Sequence, residues 1–348
     1  MSPGQSITLA VDGMGGDHGL SVTVPAVADL LKQYPAVAVL FVALPTAQSA
    51  LQAAGLLEHP RLEWVQASEV VGMDDPVSVA LRNKKNSTLR VAINLVKEGR
   101  AQAAVSAGNT GALMAVSRFV LKTLPGIERP AICTALPTRK GHCHMLDLGA
   151  NVDSEPEHLL QFALMGHALV QVLDGVEAPR IGLLNIGSED IKGSELIKET
   201  APLLQQASAL NYTGFVEGNQ IFSGDVDVVV CDGFVGNVAL KTMEGVAAMF
   251  SDTIREEAGR SWFKTLCAAL ALPVLTNVRK RLNPSNYNGA SLVGLNGIVV
   301  KSHGSADVHS FGNALAVAVR EAERNVPVLI GKLLADMLPS SSKMSEEK

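Results

Sequence analysis

Lys192, two histidines (His18 and His303) and four asparagines (Asn109, Asn151, Asn185 and Asn237) stand in or beside polar, glycine-rich turns, each of which follows a short apolar run. Amide donors, one ammonium and two imidazoles suit the holding of a phosphate and the stabilising of a developing oxyanion, rather than the formation of a covalent intermediate. The clearest turn is Asp232-Gly233-Phe234-Val235-Gly236-Asn237, which follows the valine-rich run Val226–Val230. A tight turn of this kind points backbone N–H groups, and here the Asn237 amide, at whatever sits above the strand's end, which is anion-binding geometry. Taken alone, it is equally an ordinary strand-to-helix turn. It is not alone: Ser106-Ala107-Gly108-Asn109-Thr110-Gly111 repeats the pattern, and both turns contain G-x-x-G. Four more polar loops are Asp12 to Gly19 (with Gly15, Gly16, Asp17 and His18), Gly149 to Asp153 (with Asn151), Gly187 to Gly193 (with Lys192) and Lys301 to Asp307 (with His303).

Each loop needs a strand beneath it and a helix after it. The runs Ile7–Val11, Ala103–Val105, Met145–Leu148, Ile181–Ile186, Val226–Val230 and Gly297–Val300 are short and apolar, as buried parallel strands are. Alternation with helical stretches predicts an α/β fold with a mostly parallel, doubly wound sheet. Loops in an open parallel sheet leave the carboxyl ends of the strands, so six of them would converge on one crevice. The intervening pattern gives a helix to Tyr34, a strand Val37–Ala43 and a helix near Ala47–Ala54. A charged connection, Met73 to Thr88, carries Arg82, Lys84 and Lys85 as a solvated face or a contribution to the site, and a helix to Lys97 follows it. Ser154 and Glu157 match a capping box, and the helix they open, through Leu173, is apolar on nearly every side. Such a helix is buried all round or lies at a subunit interface. Helices are further predicted over Gly193–Gln206, Val238–Glu257, Asn313–Asn325 and Val328–Met337.

The 348 residues suffice for a single two-lobed domain over 1–338, and the polar segment 339–348 reads as a disordered tail. With 47% hydrophobic and 4% aromatic residues the core is aliphatic, and a net charge of −5 argues against nucleic acid. Cys133, Cys143, Cys231 and Cys267 form no C-x-x-C pair, and neither a signal peptide nor a membrane-spanning run is present, which points to a soluble, reduced, cytosolic protein. There is no G-x-S-x-G and no Walker A motif. The nearest approach to a dinucleotide fingerprint, Gly13-Met14-Gly15-Gly16-Asp17-His18, lacks its last glycine, and no acid ends the second strand, so no cofactor is expected. His142-Cys143-His144 lacks further ligands at metal-site spacing and reads as a solvated loop, so no metal is expected.

Seven segments, DGMGGDHG, VSAGNTGALMA, LDLGANVD, LNIGSEDIKG, FVEGNQI, VVCDGFVGNVALKTMEG and NGASLVGLNGIVVKSHGSAD, together resemble the bacterial phosphate acyltransferase family PlsX, from about Ile7 to about Asn325. Gly13, where the family more often has alanine, and Gly141–Met145 depart from its pattern. The resemblance implies transfer of a long acyl group from acyl carrier protein to inorganic phosphate, giving acyl phosphate for phospholipid synthesis. It also implies a two-lobed fold similar to phosphotransacetylases and isopropylmalate-dehydrogenase-like proteins, a homodimer, and a cytoplasmic enzyme in peripheral contact with the inner face of the cell membrane. Phosphate is then expected on the turns with Gly233, Gly236 and Asn237 and with Gly108, Asn109, Thr110 and Gly111, neutralised by Lys192. Gly15, Gly16 and Asn151 complete the expected site. His18 orients phosphate or stabilises the tetrahedral oxyanion, Asp17 and Asp232 brace their loops, and His303 is expected to shape its loop rather than to catalyse. The alternatives are a phosphotransacetylase acting on acyl-CoA and a non-catalytic, membrane-associated scaffold.

Alternation stops at Arg260 to Arg281, which is expected to form a protruding helical hairpin. Leu266–Leu275, with Leu270, Leu272 and Val274, is nearly all apolar and is flanked by Arg260 and Lys264 before and Arg279, Lys280 and Arg281 after. Ten residues are too few to cross a bilayer. The pattern suits an interfacial anchor, a dimer contact, or a basic surface for an acidic carrier protein.

Overall fold

In the computed structural model, residues 7–282 and 287–337 are described, without the side chains of residues 279–282. The expected tail at 339–348 lies outside the described residues. The strands are β1 (Ile7–Asp12), β2 (Val37–Ala43), β3 (Leu62–Gln66), β4 (Ala103–Ser106), β5 (Ala131–Thr138), β6 (Gly141–Leu146), β7 (Arg180–Leu184), β8 (Asn211–Val216), β9 (Val228–Val230), β10 (Ala290–Val293) and β11 (Ile298–Lys301). They form one sheet in the order β3-β2-β1-β4-β11-β10-β5-β6-β9-β7-β8. The helices are α1 (Leu20–Gln33), α2 (Gln48–Ala53), α3 (Val77–Arg82), α4 (Thr88–Lys97), α5 (Thr110–Leu121), α6 (Pro156–Asp174), α7 (Glu195–Gln206), α8 (Gly233–Gly259), α9 (Trp262–Leu270), α10 (Leu272–Leu282), α11 (Val308–Arg324) and α12 (Val326–Met337).

The sheet is mostly parallel, but β10 runs antiparallel to both β11 and β5, and β5 antiparallel to β6. The half β3-β2-β1-β4-β11 therefore points one way and the half β6-β9-β7-β8 the other. This corrects the expectation of six loops at one edge. The loops after β1, β4 and β11 leave one end, those after β6, β9 and β7 leave the other, and the reversal at β10 and β5 sets them facing one another across the junction.

Strands covered on both faces need apolar residues at consecutive positions, and every residue of β4, β9 and β11 is buried. In the first half α1 and α11 bring Val27, Leu31, Phe311 and Leu315 onto Leu9 and Val11. On the opposite face α4 and α5 bring Leu89, Ile93, Leu113 and Val116 onto Ala10 and Ala104. In the second half α6, buried along most of its length, packs Phe162, Met165 and Leu169 with Val228 and Val230 under α12. Each such side chain, fully buried, contributes roughly 1.5–3 kcal/mol. The capping box of α6 is formed by Glu155 and His158 instead of Ser154 and Glu157, because Pro156, with φ already helical and no N–H to satisfy, takes the first helical position. A Cβ at Gly13 would lie 2.5 Å from Phe41 Cζ, so glycine at this position accompanies the buried phenylalanine below it.

α8 behaves differently. Only Gly233 and Gly236 of its 27 residues are buried, and α9, with no buried residue, packs against it. Gly236 is required by contact: a Cβ there would stand 1.9 Å from Asp147 O. The helix is thereby pressed onto the β6 loop at its start and runs from there across the junction.

Candidate active site

Over the junction lies a cleft of about 540 Å³. Ile132, Thr134 and Leu136, alternate residues of β5, form its floor. Asn237, Lys241 and Glu244 line it from α8, Thr110 from the start of α5, and Lys301, Ser302 and His303 from the end of β11, with Leu148 and Gly149 also at its wall. Both halves of the sheet contribute, which neither could do alone.

Two buried carboxylates shape the loops. Asp12 accepts from Ser106 Oγ at 2.7 Å and from Met14 N, and Ser106 Oγ accepts from Gly108 N at 3.0 Å, so the β1 and β4 loops are held as one piece. Gly16 packs against Ala107 and Gly304 O, and Asp17 N donates to Gly304 O, which adds the β11 loop. Asp147 does the same in the other half, accepting from the N–H groups of Ile132, Ala150 and Asn151 and from Asn151 Nδ2. Burial raises the pKa of both carboxyls against the pull of these donors.

These bonds consume most of the amides expected to meet substrate. Asn109 caps α5 through Ala112 N and donates to Met73 O at 2.6 Å. Asn151 donates to Pro130 O and Asp147, and Asn185 bonds Ile186 N and Lys192 O. All three brace loops. The N-terminus of α8 is closed to an anion as well: Asp232 Oδ1 accepts from Phe234 N and Val235 N, Gly236 N donates to Asp232 O, and Gly233 N donates to Asn151 O. The carboxylate of Asp232 is itself an anion at that helix end, so the Phe234 and Val235 N–H groups of the turn on which the sequence suggested phosphate are already engaged. Asn237, one turn further on, is exposed and lines the cleft, and its side-chain amide has no hydrogen-bond partner among the described residues. At α5, whose first N–H groups at Thr110 and Gly111 likewise have none, a helix N-terminus does face the cleft.

The positive charge comes from residues that sequence reasoning passed over. Lys301 is buried at the end of β11, with Nζ donating to Ala107 O at 3.3 Å and to Ser302 O. Burial, and then the nearby Lys241 charge, lowers its pKa to about 8. Lys241 Nζ lies 3.0 Å from His303 Nε2 and 2.7 Å from Glu244. His303 accepts from that ammonium and is kept below its ordinary pKa by burial and by Lys241, so it stands neutral at the rim. Asn288 fixes this loop by accepting from His303 N and donating to Ser302 Oγ and Ser310 O. Lys301 was legible in principle: a lysine closing a wholly apolar strand has no solvent to reach. An anion between Lys241 and Lys301 would relieve their mutual repulsion.

Other expected residues lie at different distances. His18 and Asp17 are exposed on the β1 loop, beside the Gly304 turn but outside the cleft lining. Gly15, Gly16, Gly108 and Gly111 shape the same cluster of loops. Lys192 also does not line the cleft: its ammonium pairs with Glu189 at 2.8 Å, in solvent, on the β7 loop next to the β9 loop in strand order. Of the expected cations, Lys84 is held by Asp75 at 2.5 Å.

A family model described as "Fatty acid synthesis protein" matches residues 7–329. A phosphate acyltransferase of Alcanivorax borkumensis is 67% identical over 329 residues, 94% of this chain and 97% of that protein. The chain belongs to the phosphate acyltransferase family. A second phosphate acyltransferase, from Paraburkholderia phytofirmans, is 61% identical over 88% of this chain and 83% of its own length. As the PlsX resemblance implied, this is an acyltransferase, and the expected fold is found too. The EutD phosphotransacetylase of Staphylococcus aureus superposes with a TM-score of 0.59 at 16% identity, over 92% of this chain and 95% of that one. A phosphotransacetylase of Streptococcus pyogenes gives 0.61 at 14% identity, over the same shares. The cleft thus sits at the junction of a phosphotransacetylase-like sheet.

Proposed function

We propose that the chain transfers a long-chain acyl group from acyl carrier protein to inorganic phosphate in the junction cleft, forming acyl phosphate. The observation that carries this reading is that two unlike cavities adjoin. Leu136 and Met243 line the polar cleft and also an apolar groove of about 740 Å³ between α8 and the sheet, whose other walls include Met145, Ile221, Phe222, Val246 and Phe250. A cleft with two lysines that shares walls with an apolar groove suits a reaction that joins phosphate to a fatty chain.

Phosphate binds at the α5 N-terminus with Thr110, facing Lys301 and Lys241. One of its oxygens attacks the thioester carbonyl carbon, the oxyanion so formed accepts from the Asn237 amide, and the C–S bond breaks to release the carrier thiolate, which water protonates. A thiolate needs little help in leaving, so positioning and charge stabilisation carry the catalysis. Lys192 and His18 reach the site from its flanks, Lys192 by exchanging Glu189 for substrate phosphate. The acidic carrier docks on the basic surface around Phe119, which is 55% exposed between Arg90 and Lys122.

Purified protein with orthophosphate and a long-chain acyl carrier protein is expected to yield free carrier thiol and an acyl phosphate that hydroxylamine traps as hydroxamate. Thiol release that persists unchanged without phosphate would mean hydrolysis and would overturn the reading. Acyl-CoA in place of the carrier substrate distinguishes the phosphotransacetylase alternative. Within the same assay, Ala239→Trp, which intrudes on the groove but not the cleft, is expected to lower turnover of long chains by about tenfold or more while sparing short ones, a loss equivalent to roughly two buried methylenes. An equal loss on both chain lengths would remove the groove from the acyl path.

A further inference from the structure

His142 and His144 are not in a solvated loop. They lie on β6, two residues apart and so on one face, while Cys143 and Met145 point to the opposite face, toward the groove. The histidine face is covered by α6, whose last residue is Asp174. His142 Nε2 stands 3.0 Å and His144 Nε2 2.9 Å from the same atom, Asp174 Oδ2. The three ligand atoms lie within 4.8 Å of one another. An aspartate at a helix C-terminus opposes the macrodipole there and calls for positive charge. A divalent cation would supply it between the three side chains, and α6 closes immediately afterwards in a left-handed Gly175, which fixes the position of Asp174.

We propose that His142, His144 and Asp174 bind a late first-row divalent cation, with zinc the best match. Two imidazole nitrogens and one carboxylate oxygen are a recurrent donor set for such ions. Tetrahedral ligands at zinc bond lengths lie roughly 3.3 Å apart, so both nitrogen–oxygen distances already stand within a few tenths of an ångström of that spacing, and the ion draws the two imidazole nitrogens together from within 4.8 Å. The other ring nitrogen of His144 faces Cys133 Sγ at 4.0 Å, inside the protein, which leaves Nε2 as its metal-facing atom. His144 is 8% exposed, but the side chains of His142 and Asp174 are 44% and 25% exposed, which gives the ion an entry path and water as a fourth ligand. Because this face of β6 is turned away from the cleft, the ion ties the end of α6 to the sheet and takes no part in acyl transfer.

The test uses the untagged full chain, stripped with chelator and dialysed. Titration with Co²⁺ is expected to give visible d–d absorption at one equivalent, and zinc at about a hundred times its Kd is expected to raise the melting temperature by roughly 5 °C. His142→Gln and Asp174→Asn, at half-exposed positions that do not threaten folding, should each abolish the cobalt band and the shift. Acyl transfer by the stripped protein should be unchanged. A wild-type chain that gives neither signal, showing a hydrogen-bonded triad only, overturns the site, as does cobalt absorption that survives in both variants.

Discussion

Replacing Lys301 with methionine is expected to lower kcat/KM for phosphate by about 10²–10³-fold, the scale of removing one preorganised charge-stabilising donor from a water-poor site. The ammonium is buried at the end of β11 and faces the cleft together with Lys241 and the neutral His303. Its pH signature separates this role from a structural one. A lysine with a pKa of about 8 is charged below that pH and neutral above it, so in the free enzyme phosphate affinity should fall as pH climbs through 8. That limb should vanish in Lys301→Met. Folding should not suffer: a lysine whose folded pKa lies below its unfolded value costs stability below about pH 8, and the cost fades as pH rises toward the unfolded value, so methionine at neutral pH removes a penalty. Asn237→Ala should lose about 10²-fold in kcat. Lys192→Ala is the decisive comparison, because Lys192 contributes only if it leaves Glu189 for substrate. A near-normal rate for Lys301→Met, with Lys192→Ala inactive, would move the phosphate to the β7 loop.

The strands were the easiest part of this fold to read. Val37–Ala43 is found at the predicted bounds, and the six predicted runs that carry loops fall within a few residues of β1, β4, β7, β9 and β11 or overlap β6, because a strand covered on both faces leaves an unbroken apolar run. Strand direction was not legible. Nothing local in Ala290–Val293 or Ala131–Thr138 announces that they run antiparallel to their neighbours, yet that reversal decides which loops face one another. The roles of the asparagines were hidden for a related reason. An amide in a glycine-rich turn serves equally as a helix cap or as a substrate donor, and only the placement of Met73, Pro130 and Lys192 beside Asn109, Asn151 and Asn185 assigns those three to bracing. Lys301 and Lys241 went unremarked because one ends an apolar strand and the other lies in a helix, where a cation is ordinarily a solvated residue. His142 and His144 were set aside for want of a third ligand, which lies 30 residues from His144 in sequence but 2.9 Å away in space.

Leu270→Glu combined with Leu272→Glu is expected to abolish co-sedimentation with anionic vesicles while leaving dimerisation and turnover in solution largely intact. No helix among the described residues is long and apolar enough to cross a membrane. Where α9 meets α10, however, Trp262, Phe263, Leu266, Leu270, Leu272 and Val274 are all exposed. Val246, Met249 and Phe250 on α8 are exposed as well, and exposed apolar side chains in such number are what an interaction surface presents. The nearer cations are already neutralised, Arg255 by Asp252, Arg260 by Glu256 and Glu257, and Lys264 by Glu257. The cations expected from the sequence to meet anionic lipid, Arg279, Lys280 and Arg281, have side chains outside the described residues. In the expected binding, the apolar tip would supply the larger share through burial in the headgroup boundary, where the edge-on Trp262–Phe263 pair is suited to sit. Two glutamates at the tip remove that burial and add repulsion from the lipid. The groove that would receive the acyl chain is lined by the same α8, so an arm seated on a membrane would bring a hydrophobic product close to the lipid surface. A double variant that sediments as monomers would instead assign Leu270 and Leu272 to a subunit interface. Salt separates the contributions further: binding that survives at 1 M salt, where the Debye length falls to about 3 Å, is carried by the apolar tip, and binding lost there is carried by the basic flank.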